Sequence, residues 1–278
     1  MKTAVLKFGG EVVADSATLI AVLRDVQALV AEGWRFVLVH GGGPQASQHQ
    51  TRLGLTTLKV AGRRVTDAGT LQVMKQVLAG EVSVDVVAAA RTAKLRAVGI
   101  SGVSDGLVSA RRRPPIEVSG EDEPVDFGLV GEIVEVRSDV VTHLWDGGWT
   151  PVVNSLGVAP ASDTNDSPCA VYNINADTVA STLAAHLRVD HLFLMTGVPG
   201  VLRNKNDVRT RIARLTRREA KEAVDAGIIV DGMIPKVQEA FSRLEQGISA
   251  VHILGARPGD LAGEARNPGS RGTALVAE

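Results

Sequence analysis

An apolar run that closes on three glycines, Val37-Leu38-Val39-His40-Gly41-Gly42-Gly43, limits what this chain can fold into more than any other feature. A continuous apolar strand suits a position buried on both faces, which is the setting of parallel sheets covered by helices. Glycines at its end let the backbone turn and let a ligand approach without meeting a Cβ. The ending recurs. Val5-Leu6-Lys7-Phe8 stops at Gly9-Gly10, "KLRAVGISG" and "WTPVVNSLG" run into glycine, and "HLFLMTGVPGVL" meets Gly197 and Gly200. Between the first two strands, Leu19, Val22, Leu23, Val26, Leu29 and Val30 recur at helical spacing behind a cap at Asp15 or Ser16, and Gly33 ends that helix. The first forty residues therefore predict β-α-β with a parallel crossover.

The alternation continues. Thr66 is the expected cap of a helix carrying Leu71, Met74, Val77 and Leu78, and "GLVGEIVEV" alternates like a half-exposed strand. "NINADTVASTLAAHL" predicts a helix begun by Asn175 or Asp177. "TRREAKEAVDAG" and "PKVQEAFSRLEQG" predict charged helices ended by Gly227 and Gly247, and "AVHIL" reads as the last strand. The polar, proline-rich segment from Arg111 to Asp126 reads as a surface hairpin whose three arginines are solvated. With no linker and no internal repeat, this is an α/β chain with a mostly parallel sheet between helix layers. Ligands of such sheets sit outside the carboxyl ends of the strands, which is where the glycine clusters fall.

The bulk numbers narrow the function classes. The 278 residues suffice for one large domain or two lobes sharing a sheet. Thirty basic against 31 acidic residues and only 3% aromatics point to no nucleic acid and no membrane surface. No apolar run approaches the roughly 20 residues that span a bilayer, and the apolar part of "MKTAVLKFGG" stops too early for a signal peptide. The single Cys169 allows no internal disulfide, fits a cytoplasmic protein, and reads as a small buried side chain. Neither G-x-x-x-x-G-K-[ST] nor a strand-to-helix G-x-G-x-x-G is present, which argues against a P-loop enzyme and a dinucleotide-binding dehydrogenase. His40 reads as structural.

Two lysines stand at telling places. Lys7 ends the first strand beside Gly9-Gly10, and Lys236 follows "GMIP" at the start of a helix, where a cation opposes the helix dipole. Phosphoryl transfer requires positive charge around the moving group and little covalent help. Two lysines from opposite lobes, oriented by a carboxylate such as Asp177, would supply it.

Taken in order, "KFGG", "HGGGPQ", "GRRVTD", "GLVGEI", "NINAD", "GMIPK" and a terminal "GT" resemble the amino acid kinase family, from Lys7 to Thr273. Within it the chain is most similar to members acting on N-acetyl-L-glutamate in arginine biosynthesis. The resemblance implies a three-layer αβα sandwich around a mainly parallel central sheet, a single domain with one continuous sheet. It implies a lobe over residues 1–188 for the acyl amino acid and for homodimer contacts, and a lobe over 189–278 for ATP. It implies transfer of the γ-phosphoryl of ATP to the substrate γ-carboxylate, with Lys7 and Lys236 stabilising the transition state and Asp177 organising both. Gly9, Gly10, Thr196, Gly197 and Lys236 would attend ATP and its phosphoryl. Gly41, Gly42, Gly43, Arg64 and Asn173 would attend the substrate, Arg64 by gripping a carboxylate. Mg²⁺ would ride on the ATP phosphates, with no protein metal ligand. On this reading a Cβ on any of the three glycines would stand where the substrates meet.

The chain departs from the family pattern at three points. Gly197 stands between Thr196 and Val198 where the family carries Asp, removing an acid near the nucleotide. "SGVSDG" is one residue longer before Asp105 than the family's form. The first strand starts almost at Met1, without the helix that precedes it in arginine-inhibited members, so a dimer insensitive to arginine is expected. Sibling kinases of acetylaminoadipate or of a carrier-bound amino acid remain open, as does a catalytically idle binder on the same scaffold. Intact "HGGGPQ" and "GRRVTD" favour free N-acetylglutamate, and the retained Lys7, Asp177 and Lys236 favour an enzyme.

Overall fold

The computed structural model of the chain describes residues 1–118, 120–161, 169–230 and 233–277, so Gly232 of "GMIPK" lies outside the described residues. In chain order the elements are β1 (Thr3–Phe8), α1 (Gly10–Ala14), α2 (Ser16–Ala31), β2 (Arg35–His40), α3 (Gly43–Arg52), β3 (Lys59–Val60), β4 (Arg63–Arg64), α4 (Ala68–Lys75), α5 (Ser83–Thr92), β5 (Ala97–Ser101), β6 (Val108–Arg112) and β7 (Gly131–Val136). Then follow α6 (Asp139–Asp146), β8 (Thr150–Asn154), β9 (Leu156–Val158), β10 (Val171–Asn173), α7 (Ala176–His186), β11 (His191–Met195), β12 (Arg214–Leu215), α8 (Arg217–Asp225), α9 (Met233–Glu245), β13 (Ala250–Leu254), α10 (Asp260–Arg266) and β14 (Thr273–Val276). A π-helical stretch, Gln76–Val82, joins α4 to α5.

Eight strands form one sheet in the order β12-β14-β13-β11-β1-β2-β8-β5. Every neighbouring pair in it is parallel except β13–β14. Period-2 alternation divides its side chains between two helix layers. Val5, Val37, Leu192 and Val251 pack with Val179 and Leu183 of α7 and Val237 and Phe241 of α9. Ala4, Leu6, Phe36 and Phe193 pack with Leu19 and Leu23 of α2, Val86 of α5 and Leu261 of α10. The result is a three-layer αβα sandwich. The chain fills β2, β5 and β8 on one side of β1 and returns to β11 on the other. That reversal makes the carboxyl end of β1, where Lys7 and Gly9 stand, the topological switch point at which such sheets bind ligands.

Several expectations need correcting. A second sheet, β10-β9-β6-β7, is largely antiparallel and was not foreseen beyond the "GLVGEI" strand. Asp67, not Thr66, caps α4, accepting from Thr70 N at 2.7 Å. Thr66 is instead buried in a bridge to Gly128 and takes a hydrogen bond from Asn173. Asn175 caps α7, which leaves Asp177 free in its first turn. Lys236 is the fourth residue of α9 rather than its first. "AVHIL" is followed by β14, which turns back antiparallel to it. Cys169 is exposed, because it sits at φ 64° in the turn before β10 rather than in the sheet interior. In the Arg111–Asp126 segment, Ile116 and Val125 pair antiparallel as the hairpin reading expects, and Arg111 and Arg112 are exposed.

Candidate active site

A cavity of about 690 Å³ opens at the switch point. The end of β1, α7 and α9 contribute Lys7, Gly9, Gly10, Asp177, Lys236 and Glu239 to its lining. The β3–β4 hairpin and the segments around the second sheet contribute Arg63, Arg64, Arg113, Phe127, Val130 and Asn173. Gly41-Gly42-Gly43 lines it too. Ten of the twelve residues expected to act at the site line this one cavity. Thr196 and Gly197 do not. They close β11 instead, with Thr196 N donating to Leu254 O at 2.9 Å and the Thr196 hydroxyl donating to Val198 O at 2.9 Å.

Lys7 shares the sheet face of Val5, and that face lies under α7. Its Nζ is 2.9 Å from Asp177 Oδ1, with the two side chains 12% and 27% exposed. Asp177 in the first turn of α7 also suits the positive end of that helix. Asp177 thus pairs with Lys7, and no ion pair joins it to Lys236 among the described residues. One turn beyond Lys236, Glu239 accepts from the Ser181 hydroxyl at 2.7 Å and pairs with Arg243, tying α9 to α7.

Three carbonyls of the glycine segments are engaged within the protein, and Gly41 N donates to Phe8 O at 3.2 Å. Gln45 Nε2 donates to Gly10 O at 2.8 Å, His40 Nδ1 donates to Gly41 O at 3.1 Å, and Arg64 Nη2 donates to Gly43 O at 3.1 Å. The first N–H groups of α1 and α3 have no intrahelical acceptor, and for α3 they lie at the positive end of a ten-residue helix. His40 is fully buried, and burial holds it down to about 4 despite the Gly41 carbonyl. It is a neutral brace, as the structural reading expected, and it explains the histidine before the glycines.

The glycines themselves divide. A Cβ on Gly42 would stand 2.8 Å from Leu78 Cδ2 and 3.2 Å from Val82 Cγ2, both buried side chains. A Cβ on Gly43 would meet nothing within 4 Å, and one on Gly41 would meet only Ala176 Cβ at 3.6 Å. Gly42 is therefore required by packing against the π-helical stretch, which corrects the reading that all three make room for substrates.

Arg64 is a fixed cation without a counter-charge among the described residues. It donates to Gln50 Oε1, to Ser47 Oγ at 2.7 Å and to Gly43 O, all neutral. Burial lowers its pKa, the sign of a desolvated charge. Beside it, Asn173 Nδ2 donates to Thr66 Oγ1 at 3.2 Å. Among the described residues, no group of three or more His, Cys, Asp or Glu side chains could hold a metal ion.

The amino acid kinase family model matches residues 2–255. Acetylglutamate kinase of Sorangium cellulosum is 47% identical over 98% of this chain and 94% of its own. Acetylglutamate kinase of Prochlorococcus marinus is 39% identical over 92% and 79%. Among solved structures, N-acetylglutamate synthase from Neisseria gonorrhoeae, complexed with coenzyme A and N-acetyl-glutamate, superposes with TM-score 0.80 at 24% identity, covering 100% of this chain and 60% of that one. Carbamate kinase from Giardia lamblia bound to AMP-PNP gives 0.68 at 17% identity, over 100% and 99%. At those identities the two structures speak for the fold alone.

Proposed function

The chain belongs to the amino acid kinase family, and from that premise we propose that it transfers the γ-phosphoryl of ATP to the γ-carboxylate of N-acetyl-L-glutamate. The reading rests on kinship with the acetylglutamate kinases together with one feature of the cavity. At the switch point Lys7 and Lys236 line the same cavity as Arg64, which is held by neutral partners only among the described residues. The acceptor carboxylate is ionised at neutral pH, so the step needs no base, only charge and alignment. A carboxylate oxygen attacks the γ-phosphorus in line, the bond to the β-bridging oxygen breaks, and ADP leaves with the electron pair. The products are ADP and an acyl phosphate.

In this scheme Lys7 and Lys236 stabilise the charge on the equatorial oxygens. Asp177 holds Lys7 in place, and the N–H groups after Gly9 and Gly42 face the phosphoryl. Arg64 takes the carboxylate that does not react, with Asn173 beside it. Residues 1–188 would bind the acyl amino acid and 189–278 the nucleotide. Thr196 and Gly197 would meet ATP outside the cavity.

Mg²⁺ brought in with the nucleotide would offset the charge of its phosphates. Of the three acids that line the cavity among the described residues, Asp177 is engaged by Lys7 and Glu239 by Ser181 and Arg243, which leaves Glu11 alone and suits a metal carried in by the nucleotide. We also infer a homodimer, which light scattering would report as twice the chain mass.

A coupled assay of ADP release tests the assignment with N-acetyl-L-glutamate, N-acetyl-L-aminoadipate, glutamate and aspartate as acceptors. Turnover with the first, at a kcat/KM well above the rest, is expected. Equal rates with the aminoadipate would overturn the specificity, and no turnover with any acceptor would overturn the activity.

A further inference from the structure

Arginines 111, 112 and 113 share one segment but not one environment. Arg111 donates to Glu132 Oε2 from Nε at 3.2 Å and from Nη2 at 3.1 Å. Arg112 pairs with Asp126 at 2.8 Å and also donates to Gly128 O. Both are exposed and locally neutralised. Arg113 is half-buried, lines the cavity, and makes no ion pair or side-chain hydrogen bond with any described residue. Its nearest acid, Glu132, is already taken by Arg111.

Burial lowers the Arg113 pKa first, and the neighbouring charge of Arg63 lowers it further, against a weaker pull from Glu132. Arg63 and Arg113 both line the cavity, and neither makes an ion pair among the described residues. An unpaired, partly desolvated cation is costly to keep, and a bound anion removes the cost. The base of the side chain is stiff. Arg113 N donates to Val130 O at 2.9 Å, and Pro114 restricts the backbone of the residue before it. The backbone of Arg113 is therefore fixed, and its half-buried side chain lines the cavity.

We propose that Arg113 is a second carboxylate-binding residue of the substrate site, meeting from the β6 side the carboxylate that Arg64 meets from the β4 side. The inference rests on the functional reading above. Arg113 lines the same cavity as Arg64, Phe127 and Asn173, and as Lys7, Asp177 and Lys236. The unreactive carboxylate of an N-acyl glutamate, rather than an ATP phosphate, fits that place. Two guanidinium groups on one carboxylate recognise it by charge and by planar geometry, which an amide of the same shape cannot satisfy.

Arg113→Gln and Arg113→Lys, each compared with the wild type, test this. KM is measured for N-acetyl-L-glutamate, for its α-amide and for ATP, alongside substrate binding by calorimetry and the melting temperature. Loss of one charge-assisted contact should raise KM and Kd for N-acetyl-L-glutamate about tenfold or more in Arg113→Gln. The wild-type preference for the acid over the α-amide should shrink by a similar factor. Arg113→Lys should recover part of both, while ATP KM and the melting temperature hold. An unchanged preference, or a rise in ATP KM instead, would overturn the assignment of Arg113 and leave the functional reading standing. A wild-type chain that neither binds nor phosphorylates N-acetyl-L-glutamate would overturn both.

Discussion

Lys7 Nζ lies 2.9 Å from Asp177 Oδ1, an ion pair that joins the carboxyl end of the central strand to the first turn of α7. Its position at the switch point, with both side chains facing the cavity, gives it a directional role. Asp177→Asn keeps the shape and removes the charge that fixes Lys7. Turnover should fall by about 10²-fold or more, the scale of losing one aligned charge in the transition state. KM for ATP and the melting temperature should change little. A large drop in melting temperature at full turnover would make the pair structural only.

Two neighbouring glycines should respond oppositely to the same change. Gly42→Ala drives a methyl against Leu78 and Val82, and overpacking of this kind costs about 1–3 kcal/mol. Its melting temperature should fall by several degrees. Gly43→Ala meets no protein atom within 4 Å and should melt like the wild type while losing activity, because its methyl stands where a ligand would. Equal melting temperatures for the two variants would contradict this division.

The resemblance in sequence expects an acid where Gly197 stands. A Cβ there meets nothing within 4 Å, so packing does not demand glycine. Gly197→Asp should fold with an unchanged melting temperature, and any effect should appear in KM for ATP rather than for the acyl amino acid. A destabilised variant, or one changed only toward the acyl substrate, would contradict that placement.

Acid should destabilise the fold through buried groups held in their high-pH forms. His40 and His191 are pushed down to about 4 chiefly by burial, from the ordinary 6.5. Burial pushes Glu264 up, but bonds from His252 and the N–H groups of Gly269, Gly272 and Arg271 outweigh it and hold it at about 2. For all three, the unfolded chain takes up protons before the folded one does. Stability is thus complete above 6.5, falls through the histidine window down to about 4, and falls further from 4.5 to 2 as Glu264 is challenged. Thermal melts should show a melting temperature that declines steadily below pH 6.5, and a flat profile down to 4 would contradict this account.

Much of this was legible in the residues. Continuous apolar strands ending in glycine and helices at 3.6-residue spacing carried the parallel sandwich, because burial on both faces leaves a mark on sequence. Lys7, Asp177, Lys236 and the glycines were visible at strand and helix ends, and Arg64 only through the family resemblance. The second sheet was not. Its strands are short and partly exposed, and β9 and β10 run only three residues each. Arg113 was hidden because local sequence shows three like arginines and not that Glu132 and Asp126 neutralise only two of them. The reason for Gly42 was equally hidden, since Leu78 and Val82 are far away in sequence and meet it only in the folded chain.

The central claim is the making of an acyl phosphate, and hydroxylamine tests it most directly. Wild-type protein with MgATP, N-acetyl-L-glutamate and hydroxylamine should yield the γ-hydroxamate in step with ADP. Lys236→Ala, melting at the same temperature, should yield it orders of magnitude more slowly. ADP release without hydroxamate, or undiminished hydroxamate from Lys236→Ala, would contradict the account.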